Sequence, residues 1–169
     1  MAGKKTPRKP AKKSAKAKAV VRKKVPAKVS AKLVERRKSA PPTLRLRSVI
    51  AGFTVNDIAR SVAWYRDVLG FVVGEEWRGK DGVLRGAEMK AGAVSLFLGQ
   101  DDWKKGRDRA KGEGFRLYCD TAQDVDAIAV RVKAAGGVLA HEPQTQPWGE
   151  RDFGIVDPDG FKLTISKGT

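Results

Sequence analysis

The sequence predicts an α+β body made of two βαβββ units, preceded by a disordered basic tail. Three observations predict it. Charge is partitioned: residues 1–40 hold 16 Lys and Arg against one acid, Glu35, while the remainder of the 169 residues is nearly neutral and contains every aromatic side chain from Phe53 onward. A strand–helix–strand pattern occurs twice, so that Asp57, Gly70 and Thr54 recur as Asp124, Gly137 and Thr121. Each copy is then followed by short strand-like runs separated by turn signals. The boundaries on this reading are 1–44 for the tail and 45–169 for the body, which is long enough to bury one core without staples.

The tail recombines Lys, Ala, Pro and Ser, as in PRKPAKKSAKAKA, with Pro7, Pro10, Pro26, Pro41 and Pro42 interrupting any helix. Ordering such a chain costs about 1–2 kcal/mol per residue in backbone entropy, and its apolar surface is too small to offset that. Val29, Leu33 and Arg37 recur at helical spacing and could fold transiently on a partner. So dense a cationic arm attracts polyanions and releases counterions from each phosphate it neutralises, giving binding that falls steeply with salt. The expected contacts to DNA or RNA are Lys4, Lys5, Arg8, Lys9, Lys12 and Lys13, continued by Lys16, Lys18, Arg22, Lys23 and Lys24. No base-specific readout is expected. In composition the tail resembles the Lys/Ala/Pro-rich tails of linker-histone-like proteins. A solubilising tail or an upstream start without function are the competing readings, and Lys dominance with few Ser argues against an organellar presequence.

In the first unit, LRLRSVIAGFTV reads as a strand and NDIARSVAWYRDVLG as a helix. Asp57 caps it, Ile58, Val62, Tyr65 and Leu69 share one face, and Gly70 closes it in the left-handed conformation. Hairpin signals follow at Asp81-Gly82 and Lys90-Ala91-Gly92. In the second unit, FRLYCDTA is the strand, and the helix runs from its cap at Asp124 through Val125, Ile128 and Val132 to Gly137. Turns are expected at Trp148-Gly149 and at Asp157-Pro158-Asp159-Gly160. Each sheet carries its helix on one face, so its other face requires a partner.

Composition excludes several chemistries. One Cys, Cys119, forms no intramolecular disulfide, and with the single His141 it forms no Cys/His zinc cluster. No run approaches the roughly 20 apolar residues of a membrane span, so no membrane partner is expected. A cytoplasmic protein, held at the nucleoid if the arm engages DNA, is the default.

The segments FTVNDIARSVAWYRDVLGF (Phe53–Phe71) and PWGERDFGIVDPDGFKLTI (Pro147–Ile165) resemble the first and last signatures of the vicinal-oxygen-chelate superfamily of glyoxalases, extradiol dioxygenases and bleomycin-resistance proteins. The PWG-x-R-D-F…DP-x-G stretch is nearer the bleomycin-resistance-like branch. The resemblance implies that the two units curl into one mixed-sheet cup, and that the protein is a homodimer. It also implies four ligand positions in the metal-dependent members. They fall on Ile50, on Leu96, on Leu117 or, if the strand is bulged, Arg116, and on Thr164. Apolar side chains supply no lone pair, Arg116 repels a cation and Thr164 alone is a poor ligand. The metal chemistry therefore should not carry over, no cofactor is expected, and catalysis is disfavoured. His141 lies at no ligand-equivalent position and reads as a lone surface histidine, and Cys119 as a small buried hydrophobe.

What remains is a cavity for a small organic ligand, held by burial and stacking. Trp77, Trp103 and Trp148 are the candidate stacking groups, with Phe153 in the lining. Arg116 would meet an anion or carbonyl, and Glu88 or Asp120 a cation; Trp64 reads as helix packing. The charged connection 99–112 would be a lid carrying Trp103 or a solvated linker. Arg151 and Asp152 would fix the Trp148-Gly149 turn as an ion pair or touch ligand. Sequestration without metal, of the antibiotic-resistance type, is the leading functional expectation. A metal-dependent lyase, isomerase or dioxygenase with displaced ligands and a nucleic-acid-associated protein working through its tail are the alternatives.

Overall fold

A computed structural model describes residue 44 and residues 46–168. Residues 1–43 of the tail, with its expected disorder and its phosphate-contact lysines and arginines, lie outside the described residues. Leu46–Thr169 forms one compact unit.

The elements run β1 (Ala51–Val55), α1 (Ile58–Asp67), β2 (Val72–Arg78), β3 (Leu84–Ala91), β4 (Val94–Gln100), β5 (Arg116–Asp120), α2 (Val125–Ala134), β6 (Leu139–Thr145), β7 (Arg151–Val156) and β8 (Lys162–Lys167). The Asp57 carboxylate accepts the Arg60 N–H at the start of α1, and Asp124 accepts those of Asp126 and Ala127 at the start of α2. Both carboxylates satisfy donors that a helix leaves orphaned at its first turn. Gly70 ends the first helix at φ 78°. After α2 the left-handed residue is Gly136, not Gly137. Gly137 is instead needed for space, because a Cβ there would lie 2.6 Å from methyls of both Val68 and Val132.

The expected single curled sheet does not form. The strands make two separate mixed sheets of four, in the orders β1-β4-β3-β2 and β5-β8-β7-β6, with a parallel pair between the first and last strand of each unit. Among the described residues no strand pairing joins the two sheets. The reason lies in where the units meet. Phe161 stacks on Phe53 at 4.2 Å, the Tyr65 hydroxyl donates to Asp157 at 3.0 Å, and the Ser61 hydroxyl and Asn56 N–H donate to Asp159. These contacts join the turn before β8 to α1 and to the helix-facing side of the first sheet. The open faces contribute none of these contacts, so the units are joined on the helix side and not through one continuous sheet.

Within each sheet the side chains alternate between helix and open face. Phe53, Val55, Ala87, Met89, Leu96 and Leu98 pack under α1, and Phe153, Ile155 and Leu163 under α2 with Val125, Ile128, Ala129 and Val132; together they are one buried cluster. Leu117 and Cys119 pack against it. Among the described residues no helix is long and apolar enough to cross a membrane.

Candidate functional site

Three glycines hollow out the open face of the first sheet. In register across β1, β4 and β3, Thr54 faces Gly99 and Gly99 faces Gly86, while one pleat away Gly52 faces Phe97. The missing side chains leave a slot of about 430 Å³ lined by Gly52, Thr54, Trp77, Arg85, Gly86, Phe97 and Gly99. Trp77 lies over Gly86, where a Cβ would come within 2.9 Å of the indole. Its ring meets Phe97 edge-on at 5.1 Å and 81°. The floor on either side stays open: a Cβ on Gly52 would meet nothing within 4 Å, and one on Gly99 only the Phe53 carbonyl at 4.0 Å. Arg85 stands at the rim, paired with Asp81 at 2.8 Å. The arrangement offers an indole, a phenyl ring and bare backbone to a flat apolar group, with one guanidinium in the lining.

The open face of the second sheet is polar where the first is apolar. Tyr118 faces Thr164, which faces Gly154; Asp120 faces Ser166, which faces Asp152. His141 lies over Gly154, and its Nε2 is 3.9 Å from the Asp152 carboxylate. A register shift between Leu139 and His141 puts the imidazole there, since a bulge reverses the alternation that would carry it to the helix side.

The residues expected at a site are dispersed. Trp77 lines the slot. Ile50 precedes β1 and is 44% exposed. Leu96 is buried under α1, and its neighbour Phe97 reaches the open face. Leu117 packs on the core and Arg116 is exposed on the opposite side of β5. Thr164 is buried on the polar face, and Phe153 is wholly buried in the core. Trp148 is exposed at its turn, where the indole N–H donates to Glu150. Trp103 sits in the connection at φ 54° with the Arg107 guanidinium 4.0 Å above its ring. Arg151 pairs with Asp126 of α2 at 2.5 Å, while Asp152 turns toward His141. Glu88 is held by Ser95 and Lys90, which keep its carboxyl below the ordinary range. Cys119 is half-buried, and that burial pushes its thiol up. The glycine floor, Thr54, Phe97 and Arg85 are the slot residues that sequence reading missed. Paired glycines across adjacent strands would have revealed it only with the register known.

The connection is fastened at both ends. The buried Lys111 ammonium lies 2.7 Å from Asp101 and 2.8 Å from the Asn56 side-chain oxygen, and Arg109 reaches Asp101 at 2.8 Å. Hydrogen bonds from Lys111, the Trp103 N–H and Arg109 hold the Asp101 carboxyl well below its usual range. Burial instead raises Asp157 and Tyr65, which share a hydrogen bond.

Two four-stranded sheets, each a βαβββ repeat with an open face, define the class, and the sequence match fixes it. Residues 47–165 match the model of the Glyoxalase/Bleomycin resistance protein/Dioxygenase superfamily, and the chain belongs to that family. No curated protein matches the sequence. Among solved structures it is similar to a protein of unknown function from Agrobacterium tumefaciens str. C58, at TM-score 0.59 and 27% identity over 75% of this chain and 98% of that one. TioX from Micromonospora sp. ML1 matches at TM-score 0.57 and 22% identity over 72% and 96%. A glyoxalase-related enzyme from Clostridium phytofermentans matches at TM-score 0.58 and 18% identity over 75% and 98%. The last two likenesses are of fold alone.

The family's metal does not fit this donor set. Ile50, Leu96 or Phe97, and Leu117 or Arg116 offer no ligating atom, Thr164 supplies only a hydroxyl, and among the described residues no three His, Cys, Asp or Glu side chains group closely enough to hold an ion.

Proposed function

We propose that the protein binds a small, flat, largely apolar organic molecule in the slot of the first sheet, without metal, and acts by sequestering it. The glycine row carries this reading. A β-sheet gives up packing when three adjacent strands place glycine on one face, and here Trp77 covers Gly86 while the space over Gly52 and Gly99 stays open beside Trp77 and Phe97. Burying a ring of about 100 Å² there would contribute roughly 2–3 kcal/mol before stacking, enough to matter only if both ring faces are covered. A second copy of the chain is the natural cover, and a homodimer is part of the proposal. The basic tail supports a second reading, association with DNA or RNA through its 16 cations.

The slot is tested by Gly99→Leu. Its Cβ enters open space, so the variant should fold with an unchanged melting temperature while its side chain fills the slot. In a thermal-shift screen of planar aromatic compounds in the presence of a chelator, native protein should be stabilised by a subset. Gly99→Leu and Trp77→Ala should lose that response by tenfold or more in midpoint concentration. A response equal in all three proteins would place binding elsewhere.

A further inference from the structure

The open face of the second sheet carries a side-chain cluster that the slot does not use. Asp152 is a carboxylate with only 7% of its side chain exposed, yet among the described residues no lysine or arginine lies within 4 Å of it. Its Oδ1 accepts from the Gln146 side-chain amide at 2.8 Å, which satisfies a lone pair and leaves the carboxylate with no lysine or arginine to answer it. A buried charge with no countercharge is costly. The nearest basic group is the His141 ring, whose Nδ1 lies 3.1 Å from the Glu142 carbonyl. A carbonyl only accepts, so Nδ1 carries the proton in the neutral ring and Nε2 presents its lone pair. That lone pair and Oδ1 are both acceptors, 3.9 Å apart.

Two acceptors at that spacing, one of them charged, suit a bridging cationic donor. We propose that the open face of the second sheet holds the ammonium or amidinium group of a small molecule between His141 Nε2 and Asp152. The bulge that aims His141 and the glycine beneath it build the site, since a Cβ on Gly154 would lie 2.6 Å from the imidazole. The two rows around it add Thr164, Tyr118, Ser166 and Asp120, all able to accept. The basic Arg116 and Lys162 stand opposite one another at the start of β5 and β8, one pleat beyond Tyr118 and Thr164. A transition metal is the poorer occupant, because it takes three or four protein ligands and no such group exists among the described residues. The site is independent of the slot.

The chain has one histidine, so its imidazole nitrogens are read by ¹⁵N NMR without assignment. Benzamidine added to the full-length protein at pH 8 should shift the Nε2 resonance saturably, and the uncharged benzamide should not. Charge-assisted hydrogen bonds are the strong ones, so Asp152→Asn should weaken the response at least tenfold while Gly99→Leu leaves it intact. If Asp152→Asn does not fold, His141→Gln on the edge strand should weaken benzamidine binding by calorimetry to the same degree. An unmoved resonance, an equal shift with benzamide, undiminished binding in either variant, or a shift produced only by added Zn²⁺ would overturn the proposal.

Discussion

Lys111 shows most clearly how single residues set the behaviour of this molecule. Its ammonium is buried against Asp101 and Asn56 and lies 3.9 Å from Asp159, so one side chain ties the connection to the start of α1 and to the turn before β8. Removing one member of a buried ion pair leaves the other uncompensated. The Asp101 carboxyl is depressed in the folded state, so its contribution is complete at neutral pH and is lost as pH falls below about 4 toward the folded value. Asp157 acts in the opposite sense, because a carboxyl raised by burial favours the protonated form and its penalty is relieved by acid. Asp101→Asn should therefore lower the urea midpoint at pH 7 and flatten its decline between pH 5 and 2. An unchanged acid limb would show that the pair carries no pH dependence. Trp77 was legible because indoles near strand ends invite stacking. Gly52, Gly86 and Gly99 were not, because an isolated glycine in a strand reads as a bulge or weak point until its neighbours across the sheet are known. His141 was read as a lone surface residue because its bulge has no signature in the local pattern.

At the level of elements the two helices were the most legible, since capping aspartate and apolar spacing act locally, although the second closes on Gly136 and not on the expected Gly137. Asp57→Ala and Asp124→Ala should each cost about 1 kcal/mol, measured by denaturant unfolding. The Asp124 side chain answers two N–H groups, so its loss should be the larger; equal or negligible losses would deny the caps this role. Strand ends were less legible. The expected first strand spans LRLRSVIAGFTV, but among the described residues only Ala51–Val55 pairs, with Leu96 to Gln100 of β4. Face assignment failed where register slipped by one. Leu96 was expected on the site face, and Phe97 occupies it, since a shift of one residue exchanges the two sides of a strand.

The repeat itself was readable across the whole molecule, whereas the relation between its copies was not. Nothing in periodicity says whether two sheets join edge to edge, and the deciding contacts, Phe53 with Phe161 and Tyr65 with Asp157, link residues far apart in sequence. Two open faces, one apolar and one polar, are the outcome. The tail acts on another axis. Deleting residues 1–40 should abolish retardation of duplex DNA at low salt without altering the unfolding of the body, because counterion release scales with the phosphates neutralised; retention by the shortened chain would move nucleic-acid binding to the body. The central claim is that the slot captures a flat molecule without metal. It is tested most directly by making Trp77 the sole indole, with Trp64, Trp103 and Trp148 replaced by Phe, and following its fluorescence across a panel of planar aromatic compounds. Saturable quenching that chelator leaves unchanged and Gly99→Leu removes is the predicted result. Quenching that appears only when a divalent ion is added, or none with any compound, would contradict it.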